Sequence, residues 1–238
     1  MLVKAFNIIV ICTIYCDITI FPAPPVTTKC EGKDKKCLKE SAQTLLPIFA
    51  LGIPEYKTHS LDPLSLDKVD ADNSNLKFQL TNLKVTGLKD CEVKRDLEKS
   101  KIFVNVLCSV GLDGHYDMKG RILILPIEGN GKVEANIKNI LIKVDVNVSE
   151  TQKGTHKYWH IESWNHSFEP KGKSSIKFEN LFNGNKALGQ AAEDAMKGNG
   201  NEIIKEIGPP VIKSITAKVV ESVQRFFHAV PLNDLVLE

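Results

Sequence analysis

The sequence predicts an α+β fold: a long curved antiparallel sheet wrapped around a long C-terminal helix. Three observations carry this. First, Ile203, Ile207, Val211, Ile215, Val219, Val223 and Phe227 recur four apart, with charged residues between them. Each step of four advances about 40° around a helix of 3.6 residues per turn, so the stripe winds, as suits a helix surrounded by a curved surface. Second, from about Asp67 to Glu179 the apolar period falls to two and the intervening turns are short, the pattern of an antiparallel meander of six or seven strands. Third, the order is helix, sheet, long helix, with no low-complexity linker after residue 30, which predicts one domain.

The N-terminus reads as a secretory signal, residues 1–23. Lys4 flanks an apolar centre from Ala5 to Tyr15, too short to span a bilayer. Cys16 and Ala23 are both small enough to precede cleavage, which places the cut between 16 and 24. No other segment is long and apolar enough to be transmembrane. A secreted, extracellular chain of residues 24–238 is therefore expected, without stable membrane insertion.

Four cysteines then remain, Cys30, Cys37, Cys91 and Cys108. An even count in an oxidising compartment suggests two disulfides. Three connectivities exist; Cys30–Cys37 and Cys91–Cys108 are the short-loop choice, and two buried thiols are the alternative for the second pair. Asn147-Val148-Ser149 and Asn165-His166-Ser167 are glycosylation acceptors. Ile142, Val144, Val146 and Val148 alternate with Lys143, Asp145 and Asn147, which places Asn147 on a solvent face.

The elements follow in order. Leu38, Ala42, Leu45, Leu46 and Phe49 mark a helix that Gly52 stops. Prolines 54 and 63 make the next stretch a connector. Leu76 to Leu80, Ile102 to Val110, Arg121 to Ile127, Val133 to Ile137, Ile142 to Val148, Tyr158 to Phe168 and Ser175 to Phe178 read as strands, with Gly129-Asn130-Gly131 as a hairpin turn. Lys186 to Met196 is a short helix, and Gly198-Asn199-Gly200 breaks it. Asn201 caps the long helix, which Pro209-Pro210 should bend without dividing.

The chain resembles the insect takeout and juvenile-hormone-binding protein family over essentially its whole mature length. The likeness is carried by several blocks in order. They are Cys30 and Cys37 before the first helix, Gly52-Ile53-Pro54 leading to Leu61-Asp62-Pro63-Leu64, the stretch from Gly114 to Gly131, and Asn180-Leu181-Phe182-Asn183-Gly184-Asn185 before the C-terminal helices. The resemblance implies an elongated TULIP-like fold enclosing a tunnel, and a secreted monomer that carries a small hydrophobic ligand such as a terpenoid hormone or fatty acid. It also implies that residues 38–51 form a gating helix, with Leu45 and Phe49 facing ligand. Hormone carriers place their second disulfide across a long, later span. Cys91 and Cys108 fit the takeout branch better, which argues against juvenile hormone as the specific ligand.

Composition excludes little else. A net charge of +2 with 42% hydrophobic and 25% charged residues gives no basic excess for nucleic acid. No Gly-x-Ser-x-Gly elbow, His-Glu-x-x-His or phosphate loop is present, so neither catalysis nor a cofactor is expected. His156, His160, Glu162 and His166 share a strand face if the strand is regular, which could suit zinc; a solvated face is the favoured reading, and no metal is expected. Tyr116 is a candidate for hydrogen-bonding a ligand head group. Trp164, Phe168, Val223 and Phe227 are candidates for cavity lining. The competing reading is a protein of the same fold whose cavity is filled by its own side chains.

Overall fold

The computed structural model describes residues 28–31, 34–98 and 101–237. The expected signal segment, 1–23, lies outside the described residues. The chain opens with a short strand β1 (Cys30–Glu31) and helix α1 (Lys35–Leu51). The Asp34 carboxylate caps α1 by accepting from the Cys37 amide at 3.0 Å, and Gly52 ends it at φ 85°, where a side chain would be strained. A 3-10 turn, Pro54–Tyr56, leads to the sheet.

Seven strands form that sheet: β2 (Leu64–Asp70), β3 (Leu76–Thr86), β4 (Glu92–Glu98), β5 (Lys101–Ile122), β6 (Leu125–Lys153), β7 (His156–Pro170) and β8 (Ser174–Phe178). All pairings are antiparallel, in the order β2-β3-β5-β6-β7. The 22-residue β5 takes both β3 and β4 along one edge, and the 29-residue β6 takes both β7 and β8. Helix α2 (Lys186–Met196) and helix α3 (Gly200–Ala229) follow, then α4 (Leu232–Leu235) and β9 (Val236–Leu237), which pairs parallel with β1. Helix α3 touches β2 from one side of the sheet and β7 and β8 from the other. The sheet therefore curls around the helix, as its twist allows.

Several sequence expectations are corrected. Gly129-Asn130-Gly131 is not a hairpin turn but lies inside β6; the turn is at Leu123-Ile124, within the stretch read as one strand. Strand β4 was missed because Glu92, Lys94 and their charged neighbours give an edge strand a polar signature. Asn201 is not the cap of α3. The helix starts one residue earlier, and the Asn201 side-chain amide donates to the Gly172 carbonyl at 2.9 Å. Helix α3 runs unbroken through Pro209 and Pro210, as the continuing stripe implied.

Both disulfides form as the short-loop pairing: Cys30–Cys37 and Cys91–Cys108. The first ties β1 to α1. The second joins the chain just before β4 to the middle of β5, beneath α1.

Candidate functional site

The winding stripe of α3 faces two adjoining cavities. The inner one, about 110 Å³, lies between Phe78, Leu80, Val85, Val110, Ile137 and Phe178 of the sheet and Ile204, Ile207, Val211 and Ile212 of α3. The outer one, about 320 Å³, is roofed by Ala42, Leu45, Leu46 and Phe49 of α1 and walled by Val104, Val106, Val144, Val219, Val223 and Phe226. Leu88, Cys108, Ile142, Ile215 and Thr216 line both, so the two chambers adjoin.

The lining is almost without polarity because β5 and β6 turn alternate residues to the interior, Val133, Ala135 and Ile137 before a bulge in β6 and Ile140 and Ile142 after it. Among the lining residues the one polar side chain is Thr216, and its hydroxyl already donates to the Ile212 carbonyl at 2.8 Å. Among the described residues no titratable side chain lines either chamber. An ion entering would lose its water without gaining a partner, whereas an apolar molecule loses nothing.

Helix α1 closes the outer chamber through one residue in particular. Gln43 donates to the Cys91 carbonyl at 3.1 Å and accepts from the Val93 amide at 2.7 Å, so its side-chain amide pairs with the free edge of β4 as a neighbouring strand would. The connector is fixed as well. Asp62 accepts from the amides of Gly87 and Lys89 at 3.2 and 3.0 Å, which seats the Leu-Asp-Pro-Leu block against the turn before Cys91.

Of the candidate ligand-facing residues, Leu45, Phe49 and Val223 line the outer chamber. Tyr116, Trp164, Phe168 and Phe227 line neither chamber. Tyr116 is buried, and its hydroxyl donates to the Glu179 carbonyl at 2.6 Å; burial, with the charges of Asp117 and Glu179, pushes its pKa up to about 12. Trp164 packs in the second core cluster beside Trp159 and Ile161. Phe168 packs on the main core close to Gly208, and Phe227 meets Trp159 edge-on at 5.2 Å. The aromatic that does face the chamber is Phe226, in edge contact with Phe49 at 5.9 Å and Tyr56 at 5.6 Å.

The drift of the stripe explains this exchange. From Ile203 to Phe227 six steps of four accumulate about 240°, so the two ends of the row lie on opposite margins of the chamber-facing arc. Phe226 falls near its centre, close to the bearing of Ile215. The helical period contained that signal.

Tyr116 accounts instead for the Gly-x-Gly pattern. The chain at Glu179–Leu181 crosses β6 closely, bridging Gly129 with Leu181. A Cβ on Gly129 would stand 2.9 Å from both the Tyr116 hydroxyl and the Asn180 carbonyl, and one on Gly131 would stand 2.6 Å from the Glu179 carbonyl. Both glycines serve close backbone approach.

The histidine-rich strand does not keep one face. Asn147 pairs with Ser163 but Val148 pairs with Ile161, so Glu162 is an extra residue that reverses the phase. Trp159 and Ile161 point inward before it, and Trp164 does after it. Among the described residues no group of three His, Cys, Asp or Glu side chains is gathered as a metal site. The two glycosylation acceptors, Asn147 and Asn165, are both exposed, and Asn147 donates to the Ser163 hydroxyl at 2.8 Å.

A long helix held in a curled antiparallel sheet, with adjoining apolar cavities between them, defines the class of fold. Within that class, residues 8–237 match the family model for haemolymph juvenile hormone binding protein, and the chain belongs to that family. It is 24% identical to the circadian clock-controlled protein daywake of Drosophila melanogaster, over 90% of this chain and 87% of that one. It is 32% identical to the juvenile hormone-binding protein of Manduca sexta, over 35% of this chain and 42% of that one. The crystal structure of Takeout 1 from Epiphyas postvittana is similar throughout, with TM-score 0.85, 30% identity, and coverage of 90% of this chain and 100% of that one.

Proposed function

We propose that this protein is a secreted, monomeric carrier of a small, uncharged hydrophobic molecule held in the two-chamber tunnel. The observation that carries the reading is the lining: two contiguous chambers whose single polar side chain is already satisfied internally. Family membership and the hormone-binding relative support the same reading. An elongated terpenoid or a long-chain alcohol or ester suits such a wall better than an ionised fatty acid, whose carboxylate would find no cation. Helix α1 forms the movable roof, Leu45 and Phe49 meet the ligand, and glycans on Asn147 and Asn165 occupy the outer face.

The energetics are adequate. Burying about 400 Å² of ligand apolar surface gains on the order of 10 kcal/mol at about 25 cal/mol per Å². Association costs several kcal/mol, which leaves micromolar to nanomolar affinity.

Organic extraction of the natively secreted protein, followed by mass spectrometry, should recover a near-stoichiometric neutral lipophile. Recovery of no lipid, together with no uptake of a neutral naphthylamine fluorophore, would sink the carrier reading in favour of a self-filled core.

A further inference from the structure

The seam between β7 and the C-terminal end of α3 carries a hydrogen-bonded cluster that the cavity itself does not require. Gln224 accepts from the Ile161 amide at 2.7 Å through Oε1, which fixes the orientation of its side chain. Its Nε2 is thereby turned toward two histidines. It contacts Nε2 of His228 closely and lies 3.4 Å from Nδ1 of His160. His160 Nδ1 is in turn 3.0 Å from His228 Nε2, the two rings stacked within 4° at 5.2 Å.

Donor bookkeeping then assigns the protons. An amide Nε2 can only donate, so His228 Nε2 must accept. His160 Nδ1, farther from the Gln224 amide at 3.4 Å, is then assigned as the donor of the pair across 3.0 Å. Both donors converge on one lone pair, and the arrangement exists only while His228 is neutral. A proton on His228 Nε2 would face two N–H groups and set two cationic or polar rings against each other.

We propose that His160, Gln224 and His228 form a proton-sensitive clasp that closes the β7–α3 seam at neutral pH and opens it on acidification, releasing the tunnel's occupant. The release half rests on the carrier reading above; the clasp does not. The seam borders the outer chamber. Val223 and Phe226, beside Gln224, line that chamber, and Phe227, beside His228, holds Trp159 of β7. Opening the seam therefore loosens the chamber's aromatic wall.

The surroundings favour neutrality. Burial, then the charges of Lys153 on β6 and His160 on β7, hold His228 below the ordinary histidine range. The carboxylates of the elements packed here are engaged elsewhere. Glu150 of β6 pairs with Lys157, Glu162 of β7 accepts from Ser149, Glu221 of α3 pairs with Arg225 and Lys218, and Asp234 of α4 pairs with Lys29. A base with a depressed folded-state pKa contributes its stability above the unfolded value of about 6.5 and loses it as pH falls below that value.

The test follows the Ile161 amide and His228 by NMR from pH 7.5 to 5, alongside dissociation of a neutral naphthylamine fluorophore. Ile161 should lose exchange protection as His228 titrates, and probe dissociation should quicken by up to about tenfold per pH unit below 6.5. His228→Gln should flatten the pH profile. Gln224→Leu should give fast dissociation at every pH. An Ile161 amide indifferent to pH, or a His228→Gln variant with the wild-type profile, overturns the clasp. If no probe binds at any pH, the release half fails with the carrier reading, while an Ile161 amide that opens with His228 still establishes the clasp.

Discussion

Tyr116 illustrates how a polar atom in an apolar interior finds its role. Its position between Gly114 and Gly120 suggested a hydroxyl available to ligand. In the folded chain that hydroxyl satisfies the Glu179 carbonyl where the Asn180 segment crosses β6. Tyr116→Phe should cost about 1–3 kcal/mol by stranding that carbonyl, read as a lowered midpoint in denaturant, while leaving probe affinity unchanged. Because the folded-state pKa is raised to about 12, the tyrosine's contribution is complete below about pH 10 and is lost as pH rises through 12. Ultraviolet titration should show late-ionising tyrosine from Tyr116 and from Tyr56, whose burial also raises it, and Tyr116→Phe should remove the latest step. Gly131→Ala should be destabilising by about 1–3 kcal/mol, because its Cβ would press on the Glu179 carbonyl at 2.6 Å.

Elements here are joined less by loops than by glutamines. Gln43 of α1 occupies the free edge of β4, and Gln224 of α3 occupies that of β7. Each helix thus shields a sheet edge that would otherwise offer unpaired amides. Gln43→Leu should leave the Cys91 carbonyl and Val93 amide without α1's side chain. Faster probe exchange and faster proteolysis within residues 35–51 are expected; an unchanged exchange rate would remove α1 as the roof. The Cys91–Cys108 bridge lines the outer chamber beneath the same helix. Closing a loop of 17 residues, it contributes on the order of 3 kcal/mol. Cys91→Ala combined with Cys108→Ala should therefore lower Tm by several degrees without abolishing the fold, as calorimetry would register. The α2 boundaries and the stripe of α3 were legible in the sequence, because helical period is a local signal. Strand β4, the hairpin at Leu123-Ile124 and the bulge at Glu162 were not. Each depends on which strand lies alongside.

For the whole molecule, what matters is that neither chamber is built by one element. The sheet supplies the curved wall, α3 the inner wall and α1 the roof, and the chambers meet at Ile215 and Thr216. Val219→Trp, filling the outer chamber from α3, should abolish uptake of long ligands while preserving the circular-dichroism spectrum; retained uptake would place the ligand elsewhere. Ligand length should correlate with affinity until both chambers are filled, then plateau, as a calorimetric series of alcohols would reveal.

The sequence by itself determined the fold class and the winding row along α3, because periodicity is set by local geometry; it favoured the short-loop disulfides, and the folded chain decided that both form. It also contained the helical angle that carries the row from Ile203 round to Phe227. The same angle already turned Phe226, rather than Phe227, toward the chambers; tertiary structure alone decided that Phe49 lines them and Trp164 does not. That choice follows from where a bulged strand reverses phase and where a curled sheet meets the helix, and both are fixed by contacts between residues far apart in the chain.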